Sequence, residues 1–472
     1  MDVERRALAA AVVGSGIAFL DGSIVNVALP AIRADLGADL GGLQWVLNAY
    51  LVTLTALLLL GGALGDRYGR RRCFTIGVVG FAAASVACGL APSTGALIAA
   101  RAVQGAAAAL LIPGSLALLT ATVDPDDRAR WIGRWSGLTG AASAVGPFVG
   151  GWLIDAASWR WAFLINVPFA VAAVVLAGGV PESLDDDAPR HLDRWGAAIA
   201  AGGLAALTAG LIGSGEGWSL ASAGLTVGGL AALGGFWAHE HRTPVPMLPP
   251  SLFRSQQFTG ANLVTLAVYA ALGVTFFLVA VNLQLALGYS ALEAGVALLP
   301  VTLLMLVLSP RAGALAQRIG ARVPMTVGPL VIAVGVAWLG RVEPGDAYAT
   351  GVLPPTITFG LGLSLTVAPL TAAVLAAVDD RALGIGSATN NAVARLGGLL
   401  AVAVLPAAAG VDLDGATATG LPGYRTAMTA AAVLCLVGAA VAAATIRRTS
   451  EVEPSVQPSV LQSCLDPCTD PT

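Results

Sequence analysis

Apolar stretches of about 18 to 25 residues recur from one end of this 472-residue chain to the other. Each is long enough to cross the roughly 30 Å hydrocarbon core of a bilayer as a helix. In lipid every backbone N–H and C=O must be satisfied within the segment, so such stretches fold as α-helices. Composition agrees with a membrane solvent: 56% of residues are hydrophobic and 11% charged, against about 25% charged in a soluble globular protein. The net charge of -3 then says little about partners, and nucleic acid is not expected among them.

Fourteen spans are expected, near 7–31, 43–65, 73–91, 94–120, 131–154, 161–180, 196–213, 220–238, 260–286, 292–316, 324–340, 348–376, 384–409 and 423–446. The arginines test this count, because the chain has no lysine. Nineteen of the 25 basic residues fall on one side of the spans. Arg33, Arg160, Arg341 and Arg425 fall on the other, and Arg101 and Arg395 lie within spans. The positive-inside rule places both termini in the cytoplasm, which an even number of spans satisfies. A multi-pass protein of the plasma (inner) membrane is the expectation. The first apolar stretch has no cleavage site and reads as a retained helix. Trp131, Trp159, Trp161, Trp195 and Trp218 sit near span ends, where indoles anchor at the headgroups.

Two loops repeat a pattern. Gly62-Ala63-Leu64-Gly65-Asp66-Arg67-Tyr68-Gly69-Arg70-Arg71 follows span two, and Gly313-Ala314-Leu315-Ala316-Gln317-Arg318-Ile319-Gly320-Ala321-Arg322 follows span ten. Corresponding loops of this kind indicate two related halves, a common build in secondary transporters. The expected division is a six-helix bundle over 1–180, a linker with two inserted helices over 181–250, a second six-helix bundle over 251–449, and a disordered tail over 450–472. Cys464 and Cys468 in that tail have no further Cys or His beside them to make a metal or redox site.

Two ionisable residues stand out within the spans. Asp21 lies in Phe19-Leu20-Asp21-Gly22-Ser23-Ile24-Val25-Asn26. An unpaired carboxylate there costs about 2.5 to 3.5 kcal/mol on insertion scales, so an acid retained in such a place points to proton or cation binding. Arg101, in Arg101-Ala102-Val103-Gln104-Gly105, needs a partner for the same reason, and Asp21 is the candidate. Span five carries Gly137 and then Gly146-Pro147-Phe148-Val149-Gly150-Gly151. Its glycines make a smooth packing face, and Pro147 bends the helix.

Taken together these segments resemble the major facilitator superfamily, and within it the fourteen-helix drug:proton antiporters of the EmrB/QacA type. Leu20 to Pro30 is similar to that family's first-helix signature, Gly62 to Arg72 to the superfamily loop motif, and Arg101 to Gly105 to the helix-four motif. Gly137, Gly146, Pro147, Gly150 and Gly151 resemble the antiporter motif of helix five. Trp159 to Pro168 and Asn390 to Gly398 are typical of the fourteen-helix branch. The resemblance implies an all-α, alternating-access exporter that takes in protons as substrate leaves, with the proton gradient as its energy source and no cofactor or metal. It implies that Asp21 is the proton site, tuned by Arg101. It gives the cytoplasmic loop of Gly62, Asp66, Arg67, Gly69 and Arg70 the role of a latch near Gly384, and Gly146 and Pro147 that of the outer closure. Gln317 stands where the first loop has Asp66, so a charged latch is expected in the N-terminal half alone. Ala142 replaces a glycine often found in the antiporter motif.

Asn26, Asn48, Tyr50, Tyr269, Phe276, Asn282, Gln284, Asn390 and Arg395 are candidates to line an amphipathic substrate cavity. A bulky amphipathic antibiotic, dye or secreted natural product fits that lining, and the alternative is a dedicated exporter of one metabolite. An uptake symporter is disfavoured by the helix-five motif. An enzyme would need a catalytic cluster and a channel a filter-like loop, neither of which the spans offer. His191, His239 and His241 are expected as solvated linker residues, and Glu216 and Glu293 as surface charges.

Overall fold

The structure is a computed structural model that describes residues 2–124, 127–184, 193–215, 217–244, 246–379, 382–415 and 420–447. The tail with Cys464 and Cys468 lies outside the described residues, as do His191 and Glu216. Sixteen α-helices follow one another: α1 Val3–Leu36, α2 Leu40–Tyr68, α3 Arg70–Gly89, α4 Thr94–Thr120, α5 Arg128–Ala156, α6 Trp161–Leu164, α7 Asn166–Gly178 and α8 Arg194–Gly213. They continue with α9 Leu220–Glu240, α10 Gln256–Leu285, α11 Ala291–Ala297, α12 Leu299–Ile319, α13 Arg322–Leu339, α14 Leu353–Leu375, α15 Leu383–Ala408 and α16 Tyr424–Thr445.

Among the described residues these make fourteen spans long and apolar enough to cross a membrane, as the sequence predicts. Three spans are interrupted where a continuous helix was expected. Span six divides at Ile165 and span ten at Leu298. Pro300, which has no N–H to give, stands at the start of α12. Span twelve opens with a π turn, Tyr348–Val352, just before Pro354 and Pro355. Helix starts are closed by short polar side chains. The Asp39 carboxylate accepts from Gly42 N–H at 2.7 Å, and Ser219 and Ser290 each form a capping box.

In the first half α4 packs on α2 and α3, and α1 on α5 and α7. In the second, α10 packs on α15 and α16, while α13 and α14 pair and contact α16 and α12 respectively. The α8–α9 pair packs on itself and reaches the rest through α8, whose Leu204 joins Val52 and Ala56 of α2 and Leu399 of α15. Burial separates centre from rim: 78% of the apolar window of α10 is buried but only 11% of that of α9. α9 therefore presents most of its surface to lipid.

Lipid tails are as apolar as leucine, so helix association here rests on close van der Waals contact and hydrogen bonds rather than on hydrophobic expulsion. Between α2 and α4 the backbones meet at two glycines. A Cβ on Gly61 would stand 2.0 Å from Ala109 O, and one on Gly105 2.2 Å from Tyr50 O. Neither neighbour is a side chain that can turn away. Gly228 on α9, by contrast, has nothing within 4 Å. We expect Gly61→Leu to lower the thermal midpoint of the detergent-purified protein sharply, the strain exceeding the usual 1–3 kcal/mol of overpacking by roughly this class of change. Gly228→Leu should leave the midpoint within about 2 °C of wild type, since a lipid-facing change adds no strain.

Candidate functional site

That α2–α4 contact sets Arg101 against the carbonyl of Val46, to which Nε donates at 3.1 Å. Arg101 Nη1 donates to Asp21 Oδ2 at 2.5 Å and to Gln104 Oε1 at 2.6 Å. Asp21 and Arg101 are 0% and 1% exposed, so the pair is sealed from solvent. The other carboxylate oxygen, Oδ1, accepts from Gln104 Nε2 at 2.9 Å and from Asn166 Nδ2 at 3.1 Å. Both amides also donate to Ser85 Oγ, at 2.8 and 3.2 Å. The guanidinium lies 4.3 Å from the ring centroid of Tyr50 and 5.8 Å from that of Phe163. Four helices thus converge on one carboxylate: α1 carries it, and α3, α4 and α7 supply Ser85, Arg101 with Gln104, and Asn166. Three N–H donors fill three of the carboxylate's roughly four lone-pair positions, so a proton added to Asp21 removes the counter-charge of Arg101 without having to displace a donor. Ser85 and the contribution of Asn166 were not read from the sequence. The available signal was a lone amide two residues before Pro168 in an otherwise apolar run.

The two faces of the molecule differ. Both described chain ends lie on one face, the termini side. On the opposite, far side, α5 is clamped between two helices. A Cβ on Gly146 or Gly150 would stand 2.0 Å from Ser23 Oγ and 2.6 Å from Ile24 of α1. One on Gly151 would meet Ala291 O of α11 at 2.5 Å, and Gly295 of α11 faces Pro147 O at 2.2 Å. Asp155, at the end of α5, accepts from the backbone N–H of Ala291 at 3.1 Å and of Leu292 at 2.9 Å. Gln284 Nε2 donates to Val27 O at 3.0 Å, Gln44 Nε2 to Val402 O at 2.6 Å, and Arg33 pairs with Asp414. Toward the termini side Gly133, Gly137 and Gly140 of α5 have nothing within 4 Å. A cleft of about 620 Å³ opens there between α1, α5 and α12, with Arg5, Trp131, Gly137 and Leu306 on its walls. The far side is closed and the termini side is open.

The chain has counterparts among known proteins. Residues 11–402 match the family model described as Major Facilitator Superfamily. The chain belongs to the Major Facilitator Superfamily. It is 36% identical to the tetracenomycin C resistance and export protein of Streptomyces glaucescens, over 84% of this chain and 74% of that one. It is 35% identical to the puromycin resistance protein of Streptomyces alboniger, over 86% and 81% of the two chains. Its fold is similar to that of the xylose transporter XylE from E. coli, solved in an inward open conformation, with a TM-score of 0.65, 14% identity and coverage of 96% and 98%.

In this major facilitator the other sequence candidates divide. Asp66 accepts from Arg70 Nε of its own loop at 2.9 Å. Residues 380 and 381, just before α15 where the latch is expected to close, lie outside the described residues. Gly69 supplies the turn between α2 and α3, at φ +109. Four cavity candidates make hydrogen bonds or ring contacts within the bundle. Asn26 Nδ2 donates to Gly22 O, Gln284 reaches Val27 O, Asn390 Nδ2 bonds Asn262 Oδ1 and Thr265 Oγ1, and Phe276 packs edge-on against Phe359. Asn282 is buried in α10. Asn48, Tyr50, Tyr269 and Arg395 remain along the seam between α2, α10 and α15.

The linker histidines also differ from expectation. His241 is exposed, but His239 lies with Nε2 2.9 Å from Asp193 Oδ1, next to a buried Glu240 that accepts from Leu248 N–H. Burial works against the Asp193 carboxylate, yet the Gly196 N–H and His239 together hold it below the ordinary carboxylate range. Glu293 is exposed, as expected, and is the capping-box partner of Ser290.

The Asp155 contact generates a prediction for the far-side closure. Two charge-assisted hydrogen bonds are each worth about 1.5–3 kcal/mol net. In Asp155→Ala the closed arrangement loses both. A cysteine placed at Leu292 should then react with a membrane-impermeant maleimide added from the far side at least several-fold faster than in the Asp155 background. Asp155→Asn, which keeps one acceptor, should fall between. Unchanged reactivity in Asp155→Ala would show that the glycine seam alone holds the closure.

Proposed function

We propose that the protein is a proton-coupled antiporter that exports amphipathic antibiotics or related small molecules by alternating access. The termini side is cytoplasmic and the membrane is the plasma (inner) membrane, which the arginine bias supports. The one observation that carries the reading is the Asp21 cluster: a sealed carboxylate held by three donors from two other helices, beside a seam that is closed on one face and open on the other. The proton gradient supplies the energy, no cofactor takes part, and no catalytic role is assigned to any residue.

Coupling follows from geometry. A proton on Asp21 removes the counter-charge of Arg101, which relaxes onto Val46 O, Gln104 Oε1 and the Tyr50 ring. Tyr50 lies on α2, which forms the seam with α15, so a shift of Arg101 reaches the substrate region through one ring. Gly146, Gly150, Gly151 and Pro147 make the extracellular closure that must part for release, and the loop of Gly62 to Arg72 with Asp66 would latch the cytoplasmic side once the cleft closes. Relatives named for resistance to tetracenomycin C and puromycin support export of antibiotics.

The test is movement of a fluorescent amphipathic dye in everted vesicles under an imposed pH gradient. Wild type should move dye only with the gradient. Asp21→Asn should reduce that movement at least about tenfold, the loss of a little over 1.4 kcal/mol of coupling. Movement is expressed per folded transporter, because Asp21→Asn leaves Arg101 without its counter-charge and lowers stability. Full movement by Asp21→Asn would overturn the coupling role. No dye movement by wild type across a panel would instead favour a dedicated exporter of one metabolite.

A further inference from the structure

The chain places two arginines within its spans, and only one of them is neutralised. Arg101 has Asp21. Arg395, midway along α15, forms no hydrogen bond or ion pair with any described residue, and its Nε is closed off from solvent without an acceptor. The ionisable groups that face it are the phenols of Tyr50 from α2 and Tyr269 from α10. Neither phenol carries charge at neutral pH. A guanidinium in a membrane span is costly unless something pairs with it, and nothing among the described residues does.

A second polar group on the same seam is also unsatisfied. Asn48 is 0% exposed, and both its amide oxygen and its amide nitrogen lack a partner. It sits one helical turn beyond Gln44, which reaches across to Val402 of α15, so the two share the α2 face turned to α15. On α15, Arg395 is half-buried, while Asn391, one turn toward the termini side, and Gly384, two turns further, are exposed. The face bearing Arg395 is thus exposed toward its termini-side end.

We propose that Arg395 is the anion-binding residue of the substrate site and that the compound carried is an amphipathic organic acid. Its carboxylate or acidic phenolate pairs with the guanidinium, the phenols of Tyr50 and Tyr269 donate to the same charged oxygens, and Asn48 reads a further polar group. The inference rests on the transport reading above and adds the charge class of the substrate. The planar guanidinium fork matches a carboxylate in two parallel hydrogen bonds. With Arg101 already neutralised by Asp21, Arg395 leaves an uncompensated positive charge at the seam, which an anion balances and a cation does not.

The experiment is equilibrium binding to the full-length protein in lipid nanodiscs, read by fluorescence, with 9-anthracenecarboxylate and its methyl ester as a pair matched in shape. Wild type should bind the carboxylate at least about tenfold more tightly than the ester, as a charge-assisted contact implies. Arg395→Gln should abolish that preference by weakening the acid alone. Unchanged ester binding reports that the variant is folded, and Arg395→Lys should retain part of the preference. Equal binding of the pair by wild type, or a preference that survives in Arg395→Gln, would overturn the inference. Failure here is distinct from failure of the transport reading: gradient-driven dye movement that depends on Asp21, with no preference for the acid, keeps the first and removes this one.

Discussion

The contact between Asp21 and Arg101 is the constraint around which the N-terminal helices are arranged. Two charges taken out of water cost several kcal/mol each, and their attraction repays that only when the remaining lone pairs and N–H groups are also satisfied. The cluster meets the condition by drawing on α3, α4 and α7 at once, with Gln104 and Asn166 on the second carboxylate oxygen and Val46 O on the guanidinium. Breaking such a pair by removing one partner costs about 3–5 kcal/mol in general. The same cost makes proton arrival consequential: a proton on Asp21 changes the charge balance of four helices.

The rest of the packing exists to let helices come close enough for that cluster and for the gates. Gly61 and Gly105 bring α4 onto α2, which sets Arg101 beneath Val46 O. Gly146, Gly150 and Gly151 bring α5 onto α1 and α11. The glycines of one helix, α5, are tight on the far side and open on the termini side, so a single element records which side of the transporter is closed. The far-side closure is small and polar at its edges, with Asp155 on two backbone N–H groups and Arg33 on Asp414. Contacts of that kind are strong enough to hold and few enough to release, as alternating access requires.

Membrane architecture was legible because its cause is local. An apolar run in lipid has one way to satisfy its backbone, and arginine bias fixes which ends share a side. The fourteen spans follow, and so does the need of Arg101 for an acid. The breaks at Ile165 and Leu298 were less legible, because a proline near a span end is compatible with a continuous helix as well as with an interrupted one.

The sequence by itself determined that the chain crosses a membrane fourteen times, that its arginines collect on one side, and that one acid and two arginines lie within the spans. These depend on composition along the chain, which lipid reads residue by residue. Only the tertiary structure decided which polar groups are partnered. Gln284 and Asn390 tie helices together and Asn26 bonds its own helix, while Asn48 and Arg395 find no hydrogen-bond partner among the described residues. Ser85, Gln104 and Asn166 meet at Asp21 from separate helices. Satisfaction of a buried polar group is a property of three-dimensional neighbours tens to hundreds of residues away, and no local pattern encodes it.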